Sequence, residues 1–164
     1  MKHSFFIIIS ILACSVSYGQ NETNTFEASK GTWGFPITNV QHADTMMRDC
    51  LWGQTSSPNL LLKTTSSEEV RAIHYGIVRS VAEVSGTYAV LVKTGDYYLM
   101  YVGLIKPSVK KGDTLQRGSV IGNLAKGNYD TFDLQLMLFK DGPDALNINR
   151  WFNWKTAHNT SLLP

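Results

Sequence analysis

The stretch TFDLQLMLFKDG, Thr131 to Gly142, is a strand running into a turn, and its two sides differ. Asp133, Gln135 and Met137 fall on one side and Leu134, Leu136 and Leu138 on the other, the period of two that marks a half-buried strand. One side packs into a core. The other presents an acid, an amide and a thioether at regular spacing, and this stretch alone reads as an ordinary solvated sheet surface.

Outward from that strand, the chain from Gly31 onward alternates short apolar runs with turn signals, which predicts an antiparallel all-β domain. In YAVLVKTGDYYLMYVGL, two strands, Tyr88–Lys93 and Tyr97–Gly103, meet at a tight turn, Thr94-Gly95-Asp96. In EEVRAIHYGIVRSVAEV, Val70 and Ala72 precede a turn at His74-Tyr75-Gly76, which leads into Ile77 and Val78. The run VKKGDTLQRGSVIGNL places Gly112, Gly118 and Gly122 where tight turns and strand bends need them. No helix of convincing length is predicted, and Lys63–Glu69 reads as a loop.

Residues 1–19 are read as a signal peptide. Lys2 and His3 give a basic start, Phe5–Cys14 is an apolar run too short to span a bilayer, and Ser17-Tyr18-Gly19 supplies small residues for cleavage. A second reading makes Ile11–Cys14 a lipobox, with Cys14 acylated and the chain anchored to a membrane by lipid. Removal of the signal leaves Cys50 alone, so no internal disulfide is expected. The remainder suits one domain: a polar leader at 20–30 that need not pack, a domain at 31–155 and a tail at 156–164. Fifteen Lys and Arg against 13 Asp and Glu, scattered along the chain, give no electrostatic case for nucleic acid. No second apolar run approaches membrane length, so no transmembrane segment is expected in the mature chain.

The run from about Ser66 to Trp151 resembles the lysostaphin or LytM-type zinc endopeptidase domain, whose fold contains the duplicated hybrid motif. The pieces come in the family's order: GTWGFPI, EEVRAIHYGIV, VLVKTGDYYLMY, VKKGDTLQRGSVIG, FDLQLMLFKDG and LNINRWF. The Lys-Gly-Asp, Gly, Ile-Gly spacing is the most specific of them. The resemblance implies an all-β antiparallel fold, part sandwich and part barrel, and an enzyme ancestry in peptidoglycan cleavage.

Family enzymes hold zinc with a His and an Asp from an early loop and the second His of a His-x-His strand, while a further His on the hairpin's second strand assists the attacking water. Catalytic zinc needs three protein ligands and an open position for water. Matched residue by residue, Ser57 stands at the first ligand, Leu61 at the Asp, Gly103 at the assisting His, and Asp133 and Gln135 at His-x-His. No His or Asp lies between Cys50 and Glu68 to repair the early ligands. One carboxylate among neutral neighbours offers zinc too few donors. The expectation is a degenerate domain with no metal site, no cofactor and no catalytic residue.

Other candidates read as structural. His3 leaves with the signal, and His42, His74 and His158 form no pair at metal-ligand spacing. Cys50, in RDCLWG, has no nucleophile signature around it. Trp33, Trp52, Trp151 and Trp154 read as packing residues rather than a ligand platform, with Trp151 closing the core.

Three classes of function follow. The first is an exported, catalytically inactive peptidase-like module in the periplasm or cell envelope of a bacterium. It would bind a protein such as a cell-wall amidase, or a peptidoglycan peptide, through a vestigial groove of Ser57, Leu61, Tyr101, Gly103, Asp133, Gln135 and Met137. The alternative is an active zinc endopeptidase of peptidoglycan with unconventional ligands. The third is a carrier-like module related to lipoyl and biotinyl domains, against which export and the lack of a Met-Lys-Met-type turn both count. The amidase-activator version of the first lacks the coiled coil such activators bring, since no heptad run is present.

Overall fold

The computed structural model describes residues 21–50, 53–127, 130–142 and 145–155, with backbone alone at 47–50 and 53–57. The predicted signal peptide with Cys14, the tail, Trp52 and the side chain of Cys50 lie outside the described residues.

Ten strands form one sheet: β1 His42–Cys50, β2 Gly53–Thr64, β3 Glu69–Arg71, β4 Gly76–Val84, β5 Thr87–Thr94, β6 Tyr97–Pro107, β7 Thr114–Leu115, β8 Val120–Leu124, β9 Phe132–Lys140 and β10 Ala145–Leu146. The main path runs β1-β2-β9-β6-β5-β4-β7, with β10 on β9 and β8 bridging β3 and β6. Every pairing between these strands is antiparallel, as the turn-punctuated sequence predicts, and one isolated bridge, Trp33 with Phe152, is parallel.

The opening strand lies near the centre of this path, between β2 and β6. Leu134, Leu136 and Leu138 are fully buried, while Asp133, Gln135 and Met137 stay partly exposed. Each buried leucine contributes about 1.5–3 kcal/mol relative to exposure, so this face fixes the strand's register. The neighbouring strand obeys the same rule. Leu60, Leu62 and Thr64 point into the core, and Leu61 and Lys63 point outward. The stretch Ser56–Thr65, which holds the Ser57 and Leu61 matched to the family's early loop, is therefore mostly strand β2, because its alternating leucines gain more from a sheet than from solvent.

The leader is corrected too. Residues 21–28 form a helix whose Phe26 is 1% exposed. Phe26 stacks on Tyr97 at 4.4 Å and meets Trp33 edge-on at 5.3 Å. One apolar residue in a polar run is a weak sequence signal, yet an aromatic ring buries enough area to hold a short helix in place. Polar contacts complete the attachment. Thr23 Oγ1 accepts from the Asp96 N–H at 3.1 Å, Glu22 accepts from Gly95 N–H at 3.3 Å, and Lys140 Nζ lies 2.8 Å from Glu27. Tyr97 also donates its hydroxyl proton to Glu27. The hydrogen bond from Lys140, then that from Tyr97, holds the Glu27 carboxyl below its usual range.

Trp151 closes the core as expected. It is 5% exposed at the end of the 3-10 helix Ile148–Trp151, and Trp33 N–H donates to its carbonyl at 3.0 Å.

Candidate groove on the outer sheet face

Register decides which side chains share the outer face of β2, β9 and β6. Leu61 opposes Gln135 and Lys63 opposes Asp133 across β2 and β9, and Val102 of β6 opposes Gln135 from the other side. These side chains, with Gly103, Met46, Thr87 and the segment Ala125–Gly127, line a groove of about 340 Å³. Leu61, Gly103, Asp133 and Gln135, four of the residues predicted from sequence, meet there.

The other three are placed differently. Met137 shares the face of Asp133 and Gln135 and opposes Met100, outside the groove lining. Ser57 pairs with Arg48 in the β1–β2 register, and its side chain lies outside the described residues. Tyr101 is a correction. It points into the core, 1% exposed, and its hydroxyl accepts from the Ile73 N–H at 3.0 Å. Burial pushes its phenol pKa up, which suits a structural hydroxyl. Its neighbour Val102 takes the outward position, because successive side chains of a strand alternate faces.

Gly103, predicted from sequence to stand at the assisting His, has φ +104°, a conformation side chains rarely adopt. A Cβ there would collide with the backbone carbonyl oxygen of Asp133. The strand is irregular on both sides of it, with register shifts between Tyr88 and Ala89 on β5 and between Leu104 and Lys106 on β6.

Polar groups in the groove divide into partnered and unpartnered. Thr131 Oγ1 donates to Asp133 Oδ1 at 2.8 Å, and Lys126 Nζ pairs with Asp130 at 2.7 Å. Among the described residues, the side chains of Lys63 and Gln135 have no hydrogen-bond or ion-pair partner. Lys63 was not singled out from sequence, although it follows Leu61 by one period of a strand. Treating the segment as a loop hid it.

The donor set does not fit zinc. Leu61 offers no donor, Gln135 only a neutral amide and Asp133 one carboxylate already engaged by Thr131. Among the described residues, no group of three or more His, Cys, Asp and Glu side chains is placed to hold a metal ion. His42 pairs with Asp44 at 2.7 Å on the exposed edge strand, and His74 packs against Phe26 at 4.9 Å.

By sequence, no protein-family model and no curated protein matches the chain. By structure, it is similar to Csd3 of Helicobacter pylori, with a TM-score of 0.55 and 16% identity over 73% of this chain. It spans only 34% of the Csd3 chain. The catalytic domain of the prophage-encoded M23 protein EnpA from Enterococcus faecalis, in a mutant form, aligns with a TM-score of 0.57 and 22% identity, covering 74% of this chain and 96% of that one. A chain of the SpoIIIAH–SpoIIQ complex aligns at 0.56 with 19% identity, over 74% of this chain and all of that one. The fold is that of the lysostaphin/LytM-type peptidase domain.

Proposed function

We propose that this chain is an exported, metal-free and catalytically inactive member of the LytM-type fold, which uses the groove to hold a cell-envelope partner, either a protein or a peptidoglycan peptide. One observation carries the reading: an open groove is lined by Leu61 and Gln135 in opposing register, and among the described residues the Gln135 side chain has no partner. A surface with no remaining use would be free to fill in. Here Lys63, Asp133 and Gln135 still present charges, donors and acceptors along one opening, suited to a peptide. A chain of this fold in complex with SpoIIIAH supports protein binding as a use of it. Among the described residues, no helix is long and apolar enough to cross a membrane.

The test pairs binding with metal analysis. Purified mature protein is expected to lack tightly held zinc, to release no peptide ends from peptidoglycan, and to co-sediment with peptidoglycan or crosslink to an envelope protein. The double variant Asp133→Ala with Gln135→Ala should weaken that association several-fold with little change in melting temperature. Stoichiometric zinc with chelator-sensitive hydrolysis would establish the endopeptidase instead.

A further inference from the structure

We infer that the groove takes the headgroup of an α-amino acid, a free ammonium and a free carboxylate on one carbon, seated between Lys63 and Asp133. This rests on the groove being a binding site and names the chemistry of its occupant.

Lys63 and Asp133 are direct cross-strand partners on the groove face. Side chains so placed start roughly 5 Å apart at Cβ, and opposite charges there commonly close on each other. These two do not form an ion pair. Asp133 is turned toward Thr131 through Oδ1, and its Oδ2 lies beside the bare Cα of Gly127, where an added Cβ would sit only 3.3 Å away. The neighbouring charges are satisfied within their own elements: His42 with Asp44 on β1, and Lys126 with Asp130 beyond β8. What faces the opening is, among the described residues, one cation without a partner and one carboxylate with a free oxygen, a strand spacing apart.

That pattern selects by sign. A simple anion would meet Lys63 but be repelled by Asp133, and a simple cation the reverse. A zwitterion satisfies both, its carboxylate on Lys63 Nζ and its ammonium on Asp133 Oδ2, with the Gln135 amide available to the atoms beyond. The groove volume leaves room for the rest of a peptide as well as a headgroup. The same headgroup occurs in a free amino acid and at the end of a side chain such as that of diaminopimelate.

The experiment uses isotope-labelled mature protein and follows the amide resonances of Gly103 and Gly127. Glycine should shift them saturably, while glycinamide and N-acetylglycine, each lacking one charge, should bind at least about tenfold more weakly. Lys63→Gln and Asp133→Asn should each weaken glycine by a similar factor while leaving the rest of the spectrum in place. Equal responses to all three probes, or no saturable response, would overturn the inference. A blocked peptide bearing diaminopimelate separates the two sources: tighter binding than glycine assigns a side-chain headgroup, and equal binding a free amino acid. Partner capture by the same variants is scored separately, so capture that persists without any glycine response retires the headgroup and leaves the binding groove standing.

Discussion

Leu61 and Gln135 face each other directly across β2 and β9, on the outer side of two strands whose inner side buries Leu60, Leu62, Leu134 and Leu136. Two residues that the sequence resemblance matches to zinc ligands are therefore juxtaposed, and neither carries a ligand side chain. Supplying the ligand side chains should restore binding of the metal. The variant Ser57→His, Leu61→Asp, Gln135→His is expected to retain stoichiometric zinc after dialysis, whereas the wild-type chain retains none, as read by elemental analysis. A folded triple variant that takes up no zinc would show that these residues do not occupy the ligand positions.

Hydrolysis should not return with the metal, and the reason lies in Gly103. Placing His there costs about 1–3 kcal/mol in backbone strain alone, and the new Cβ must also displace the Asp133 carbonyl. Gly103→Ala is expected to lose nearly as much stability as Gly103→His in chemical denaturation, since the first carbon is what collides. An alanine variant as stable as the wild type would mean that the strand can relax and that the glycine is dispensable.

The all-β class and the two-faced character of β9 were legible because period-2 alternation survives wherever one face is buried, as at Leu134, Leu136 and Leu138. Tyr101 was misplaced for a related reason. Aromatic residues populate both faces of a sheet, so its neighbour Val102 could not be distinguished as the outward residue without the register against Gln135. The helix at 21–28 was hidden because its stability comes from Phe26 meeting Tyr97, far along the chain, and Trp33, beyond the end of the helix, partners that no local pattern links. The groove's lysine was hidden in a segment read as loop, although Leu60 and Leu62 already carried the strand signal.

Since that helix is built into the core, truncating its anchor should be costly. Phe26→Ala is expected to destabilise the domain by about 3–5 kcal/mol, the range for removing a buried aromatic side chain. Glu27→Gln should cost much less, because the ion pair with Lys140 joins two half-exposed side chains. Denaturant melts of the two variants check the ranking. A Phe26→Ala protein with unchanged stability would return residues 21–28 to the status of a loosely attached leader.

The same cluster carries a pH dependence. His74 stands against Phe26 with its Nδ1 3.1 Å from the Tyr75 carbonyl oxygen. Burial lowers its pKa below 6.5, the Tyr75 carbonyl works against that shift, and the positive charge of Arg117 adds to it. The unfolded chain therefore binds a proton on His74 at a higher pH than the folded chain does. Stability is fully present above about pH 6.5 and falls as pH drops from there toward the folded pKa, by at most about 1.4 kcal/mol per pH unit for one proton. Glu27 and Glu68 have lowered pKa values, so the stability they contribute is lost only as pH falls below about 4.5, outside this window. Melting temperature should thus decline as pH falls below about 6.5, and His74→Gln should flatten that decline while His42→Gln, on the exposed edge strand, leaves it in place. An undiminished slope in His74→Gln would assign the acid sensitivity to another group.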